Sequence, residues 1–109
     1  MRQAKVLFKG EEAGTLTQHN DGNFTFQYNS SWIGNSGKPG ISLTLPKSEA
    51  AFHSPNLFSF FYNMLPEGYN KQVVCTLNRI DQDDHFGLLM TVAKNDTIGA
   101  VRVLKMESE

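Results

Sequence analysis

The sequence has little cysteine, no excess of charge of either sign and no long apolar run. Its single cysteine, Cys75, excludes an intrachain disulfide and every metal or redox motif built from paired cysteines. No apolar stretch approaches the roughly 20 residues of a membrane helix, and the N-terminal residues lack the core of a signal peptide. Ten Lys and Arg against eleven Asp and Glu give a net charge of −1, which does not favour binding to phosphate backbones. We therefore expect a protein of the reducing cytoplasm, with no membrane partner and with DNA contacted only indirectly.

The length and the periodicity of the chain predict one α+β domain over residues 1–109. This length is too short for a protein kinase or a TIM barrel, but it is long enough to bury a core. We predict a small antiparallel β-sheet from the N-terminal half and the last strand, packed with about three helices. The predicted strands are 5–9, 15–17, 24–28, 41–45 and 98–104, and the predicted helices are 57–65, 69–80 and one that begins after an N-cap at Asp83 or Asp84.

Two of these elements have the clearest patterns. Residues 24–28 (FTFQY) follow an Asp-Gly turn and alternate strictly, so three aromatic side chains share one face of a strand. In the helix 69–80, the spacing of the apolar residues places them on one side, with Cys75 about opposite. These apolar residues are Tyr69, Val73, Leu77 and Ile80.

No group of residues has the spacing of an active site, so we expect no catalytic residue, no metal and no cofactor. Residues 34–39 (GNSGKP) resemble the end of a phosphate-binding loop, but Trp32 and Pro39 stand where that loop needs glycine and serine or threonine. The three histidines lack the i, i+4 spacing and the neighbouring cysteine of a metal site. They are His19, His53 and His85. A small enzyme that uses Cys75 or His85 is the remaining alternative.

Aromatic residues are the compositional excess. The chain has eight Phe, three Tyr and one Trp, and four of the Phe fall between positions 52 and 61. The predicted helix 57–65 is apolar nearly all round, so it is buried on more than one side, either by the other helices or by a partner protein. Aromatic side chains are enriched in binding hot spots because each buries a large area at little cost in rotamer entropy. The partner-binding candidates are Phe52, His53, Trp32 and Phe58.

Three of these candidates lie in predicted loops, and two of the three, Phe52 and Trp32, have two interpretations each. Phe52 lies with His53 in the middle of the loop 47–56, where it either contacts a partner or folds back over the sheet as a lid on the core. Trp32 lies in the loop 29–40, whose Gly, Ser, Asn and Pro content disfavours regular structure. It either caps the core or contacts a partner.

Several short motifs occur in the order known from one protein family. They are residues 14–16 (GTL), 24–28 (FTFQY), 41–46 (ISLTLP), 60–68 (FFYNMLPEG), 84–89 (DHFGLL) and 96–101 (DTIGAV). The series resembles the N-terminal subdomain of HipA-type serine/threonine kinases, the toxins of bacterial toxin–antitoxin systems. The resemblance spans almost the whole chain, and the Leu-Pro-Glu-Gly and Ile-Gly-Ala-Val elements are its most specific part.

The resemblance does not extend to the kinase core, because no position matches its nucleotide loop, catalytic aspartate or metal ligands. The chain is therefore similar to HipS, the stand-alone small subunit of the split HipBST version, in which the kinase (HipT) and the helix-turn-helix protein (HipB) are separate chains. This similarity implies a non-catalytic antitoxin that binds a HipT-like kinase in trans and neutralises it, with a HipB-like protein in a ternary complex.

The resemblance leaves the manner of inhibition open. We expect an aromatic loop around Phe52 and His53, with Trp32 as the second choice, to obstruct the kinase active site. A subunit that holds the kinase lobes apart would also inhibit. An accessory subunit that completes and supports the kinase fold is the alternative to an inhibitor.

Overall fold

The computed structural model describes residues 1–92 and 101–106, and within these ranges it has five strands and four helices. The strands are β1 (Arg2–Phe8), β2 (Glu11–Gln18), β3 (Phe24–Tyr28), β4 (Phe52–Ser54) and β5 (Val101–Lys105). The helices are α1 (Ser30–Ile33), α2 (Ser59–Tyr62), α3 (Gly68–Asn78) and α4 (His85–Val92). The predicted α+β class is confirmed, although α1 and α2 are single turns of four residues.

The five strands form one antiparallel sheet in the order β4-β3-β2-β1-β5. The last strand joins the sheet, as predicted, and its partner there is the first strand; residues 98–100 of the predicted strand lie outside the described residues. Between β1 and β2 the chain turns at Lys9 and Gly10, both at positive φ, as in the type I′ turns that match the twist of hairpin strands. Between β2 and β3 it turns at the Asp21-Gly22 pair that the sequence indicates, with Gly22 at a φ of 92°.

The sheet has one apolar and one polar face because side chains alternate along each strand. Phe24, Phe26 and Tyr28 of β3 are buried in the core, whereas Thr25 and Gln27 lie on the other face. One buried cluster joins the apolar face to the helical part of the chain. The helical part and its linkers contribute Leu57, Phe61, Leu65, Cys75, Phe86, Leu88 and Leu89 to this cluster.

The strand predicted over 41–45 is wrong. The chain reverses there, with a single bridge between Ser42 and Leu45. Ile41 and Leu45 are buried at the two ends of the turn, and Leu43 at its apex is fully exposed. The alternating pattern thus arises from two buried residues at the ends of the turn and one exposed residue at its tip, and not from one face of a strand.

The aromatic helix predicted over 57–65 is reduced to the single turn α2. Phe58 before it has extended backbone angles, with φ at −56° and ψ at 141°. Pro66 disfavours helical backbone at Leu65, so α2 does not continue into α3. The loop predicted over 47–56 is interrupted by β4.

The two longer helices confirm their predicted positions, but α3 presents a different face to the core. Cys75 is its buried residue, whereas Tyr69 and Leu77 are each 77% exposed. Helix α4 begins after Asp84, whose Oδ1 accepts the Gly87 N–H at 3.0 Å, as an N-cap does.

Candidate functional site

Edge strand β4 carries two of the four partner-binding candidates. Phe52 pairs with Phe26 of β3, and His53 pairs with Thr25. Directly opposed residues of an antiparallel pair share a face of the sheet, so half-buried Phe52 lies on the core side and exposed His53 on the polar side. Phe52 therefore covers the margin of the core from a strand, and its placement in a loop is wrong.

A threonine hydroxyl connects His53 to a second histidine. Thr25 Oγ1 lies 3.0 Å from His53 Nδ1 and 2.7 Å from His19 Nε2. Because a hydroxyl has one hydrogen to donate, the two contacts are complementary when one imidazole supplies an N–H and the other a lone pair. The three side chains border an open groove of about 310 Å³. These contacts hold the imidazole of His53 at a defined place beside the sheet edge.

Phe58 is half-buried and belongs to an aromatic cluster centred on Phe61. Phe61 is fully buried, and its ring centroid lies 5.8 Å from Phe26, 6.4 Å from Phe58 and 5.2 Å from Phe60. Tilted and edge-to-face arrangements of this kind are favourable for aromatic pairs. The domain therefore buries the centre of the aromatic cluster itself, while Phe58 and Phe60 keep part of their surface exposed.

Trp32, the fourth candidate, lies in the core. It is 3% exposed, and its Nε1–H donates to the carbonyl oxygen of Pro39 at 2.8 Å. Its ring meets Phe8 edge-on at a centroid distance of 5.9 Å, and Lys38 Nζ lies 5.4 Å from its centroid. This position agrees with the first of the two interpretations of Trp32, in which it caps the core.

The Tyr28 hydroxyl holds both ends of the turn that carries Leu43. It accepts the Ile41 N–H at 2.9 Å and donates to the carbonyl oxygen of Leu45. Burial raises the pKa of Tyr28, and the bond from the Ile41 N–H partly opposes this shift. Leu43 is thus presented to solvent from an anchored turn.

An ion pair joins the start of the sheet to the start of α4. Arg2 Nη2 lies 2.6 Å from Asp84 Oδ1, and Nη1 lies 3.1 Å from Oδ2. The bond from Arg2 lowers the pKa of Asp84; burial opposes the shift, and the Gly87 N–H adds to it. Arg2 also covers the Phe86 ring, with Cζ 4.9 Å from the centroid.

Within residues 1–92 and 101–106, no three His, Cys, Asp or Glu side chains lie close enough together to hold a metal ion. Cys75 is buried, and His85 contacts Tyr62 edge-on at a centroid distance of 5.3 Å. None of the helices in the same ranges is both long and apolar enough to span a membrane.

The most exposed apolar side chains were not among the sequence candidates. Leu43 is fully exposed, Tyr69 and Leu77 are each 77% exposed, Met1 at the N-terminus is 68% exposed, and Tyr62 is 45% exposed. For α3 the sequence does contain an indication that its outer face is unusual. Residues 68–78 include only one charged side chain, whereas the solvent-facing side of a helix ordinarily carries several.

The fold of this chain is also found among solved structures. A solved structure of the N-terminal domain of HipA toxin matches it with a TM-score of 0.72 and 30% identity, covering 100% of this chain and 96% of that one. The family model of the HipA N-terminal domain matches residues 4–104. The chain therefore belongs to the HipA N-terminal domain family, which confirms the resemblance seen in its motifs.

The relatives differ in how much polypeptide accompanies the domain. An uncharacterized protein from Haemophilus influenzae is 36% identical over 103 residues, which are 94% of this chain and 92% of that protein. Two putative kinases from Sinorhizobium fredii, Y4mE and Y4dM, are 27% and 31% identical over 109 and 110 residues. This chain spans only 26% and 27% of their lengths, so the domain is a minor part of each.

Proposed function

We propose that this chain is a non-catalytic antitoxin subunit that binds a HipA-type serine/threonine kinase in trans and neutralises it. One observation carries the proposal: the chain matches 92% of one relative but about a quarter of each putative kinase. A domain that is joined to a kinase in one protein and forms nearly the whole of another retains the surface that meets the kinase, so the two can associate as separate chains. No cofactor is needed for this role, which we assign to the cytoplasm.

We assign obstruction of the kinase active site to the β4 edge. An edge strand presents unpaired backbone groups, and β4 is a three-residue edge of the sheet. His53 is exposed beside it, and Phe58 is half-buried. Phe52 supports the strand from the core side, and buried Trp32 acts only through the fold. A HipB-like helix-turn-helix protein would supply the DNA contact, because this chain has a net charge of −1.

The second candidate function is an accessory subunit that completes the kinase fold and supports its activity. The observation that favours it is that both putative kinases carry the domain within their own chains. The two functions differ in the sign of their effect on the kinase.

Kinase autophosphorylation measures that sign. A HipA-type kinase from the same genome is purified and assayed with increasing amounts of this chain. An antitoxin reduces phosphate incorporation to a small residual level at equimolar concentration, whereas an accessory subunit raises it. A kinase that neither binds the chain nor changes its rate would refute both functions.

A matched pair of histidine variants tests the placement at β4. His53→Ala and His19→Ala each remove one contact to the same Thr25 hydroxyl, so their effects on stability are comparable. We expect His53→Ala to raise the residual kinase activity at equimolar concentration about tenfold, and His19→Ala to change it less than about twofold. Equal inhibition by the two variants would contradict the assignment of His53 to the contact.

A further inference from the structure

The outer face of α3 carries an apolar stripe that the domain does not cover. Tyr69, Val73 and Leu77 are spaced at i, i+4 and i+8, which places them one above the other along the helix. Tyr69 and Leu77 are each 77% exposed, and Val73 between them is half-buried. Single exposed apolar residues need no explanation, but aligned ones form a patch of the kind that marks an interaction site. We call these three residues the α3 stripe.

The exposed residues of α3 itself are uncharged, although exposed Glu67 and Arg79 flank the helix at its two ends. The exposed residues of α3 are Gly68, Tyr69, Asn70, Gln72, Thr76, Leu77 and Asn78, none of which is charged. Lys71 is the helix's one charged residue, and it is half-buried. A helix that faces only water ordinarily carries charged and polar residues on that side. Depletion of charge around exposed aromatic and aliphatic side chains is instead the composition of the core of a protein–protein interface.

The stripe is also dispensable for the core of this domain. Helix α3 contributes Cys75 to the buried cluster, and Cys75 lies about opposite Tyr69 and Leu77. Substitutions of Tyr69 or Leu77 therefore remove little buried surface. The apolar character of this face has no use within the part of the chain that the structure describes.

The C-terminal end of α3 lies close to the end of β5, the last strand of the domain. Asn78 borders the same groove as Leu104 and Lys105 at the end of β5. The family is that of an N-terminal domain, and its matched segment ends at residue 104. In a longer member, such as a putative kinase of which the domain is about a quarter, the remaining polypeptide thus starts close to the end of α3.

We infer that the α3 stripe is the surface by which this chain docks on an apolar patch of the kinase core. This inference rests on the proposed function, for which it supplies the docking surface. The occupant is the kinase core because, in the longer relatives, the polypeptide that follows the domain starts near the C-terminal end of the helix that carries the stripe. The stripe supplies docking, and the β4 edge supplies obstruction.

Charge substitutions at the stripe test this inference. Tyr69→Glu and Leu77→Glu are each measured for binding to the purified HipA-type kinase by biolayer interferometry, with the intact chain as the reference. Leu43→Glu is the matched control, because it places the same charge on a fully exposed leucine in the turn 41–45. We expect each stripe variant to bind about tenfold or more weakly and the control to bind within about twofold of the reference.

The outcomes separate this inference from the proposed function. If the unaltered chain does not bind the kinase, the proposed function fails. If it binds and the stripe variants bind equally well, or if Leu43→Glu binds as weakly as Leu77→Glu, the docking surface is wrong while the function stands. The alternative occupant of the stripe is a second copy of this chain, and light scattering of the chain alone tests for it. A dimer that Leu77→Glu converts to a monomer would show that a second copy covers the stripe, and would overturn the inference.

Discussion

Replacing Tyr28 by Phe removes one hydroxyl group and leaves two buried backbone groups without a partner. The hydroxyl accepts the Ile41 N–H and donates to the Leu45 carbonyl oxygen, and both bonds are buried. Leaving a buried donor or acceptor unsatisfied costs about 1–3 kcal/mol. Two such groups, in a turn that can partly relax toward water, give an expected loss of about 2–4 kcal/mol. This is a large fraction of the roughly 5–15 kcal/mol that stabilises a typical domain.

Urea unfolding of Tyr28→Phe measures this loss, and Tyr62→Phe is its matched control. Tyr62 loses the same atom from a side chain that is 45% exposed, so we expect a change within about 0.5 kcal/mol. Faster hydrogen exchange at the Ile41 amide would locate the effect in the turn. Equal unfolding free energies for the two variants would refute the anchoring role of Tyr28.

Alkaline pH gives an independent check on the same hydroxyl. Burial raises the pKa of Tyr28 above the ordinary value of 10.0, so between the unfolded and folded pKa values the folded state binds more protons. The contribution of the neutral phenol is therefore complete below pH 10 and is lost as the pH rises through the folded pKa. The stability advantage of the unaltered chain over Tyr28→Phe should shrink above pH 10, and an advantage unchanged at higher pH would contradict this account.

Two further predictions concern the ion pair and the close contact of β2 with β3. Asp84→Asn should lower the free energy of unfolding at pH 7 by about 0.5–1 kcal/mol, because it removes the partly exposed ion pair with Arg2 but keeps a residue that caps α4. Since Arg2 lowers the pKa of Asp84 below 3.8, that contribution exists above about pH 4 and is lost as the pH falls through the folded pKa, so a difference that does not shrink as the pH is lowered would contradict it. Gly14→Ala should lower the thermal midpoint by about 10 °C, because its Cβ would lie 2.5 Å from the Gln27 carbonyl oxygen and 2.9 Å from Phe26 Cζ. Gly37→Ala is the control, because its Cβ would lie no closer than 3.3 Å to any neighbouring atom. Equal thermal midpoints for the two variants would show that β3 can shift to accommodate the Cβ at residue 14 without loss of stability.

Local patterns in the sequence were sufficient to predict elements that have one buried and one exposed side. Residues 24–28 form β3 with the predicted bounds, because the alternation of FTFQY matches a strand with one buried face. The N-cap at Asp84 follows from the chemistry of a single side chain. Residues 41–45 show the same alternation but form a turn, because the Tyr28 hydroxyl, 13 residues away from Ile41, holds the ends together. No local pattern contains that contact.

The candidate surface was less predictable because periodicity does not show what covers a face. Tyr69, Val73 and Leu77 do share one side of a helix, as their spacing indicates, yet this side faces solvent and Cys75 faces the core. Trp32 is the opposite case, since a residue in a polar, glycine-rich segment is buried. In both cases tertiary packing decides exposure, and the lack of charge among the exposed residues of α3 is the sequence feature that supports the proposed docking surface.

The roles proposed for the β4 edge and the α3 stripe make binding and inhibition separable by experiment. Phe52 and His53 lie on an edge strand that pairs with β3, whereas Tyr69 and Leu77 lie on a helix that contributes Cys75 to the core. If the stripe provides the affinity and the edge obstructs the active site, His53→Ala retains most of the binding but loses inhibition, and Leu77→Glu loses both together. If the domain only completes the kinase fold and supports its activity, there is no inhibition to relieve, and His53→Ala does not raise the kinase activity. Measuring binding and autophosphorylation on the same variants therefore distinguishes an inhibitor that docks and obstructs from a subunit that only docks.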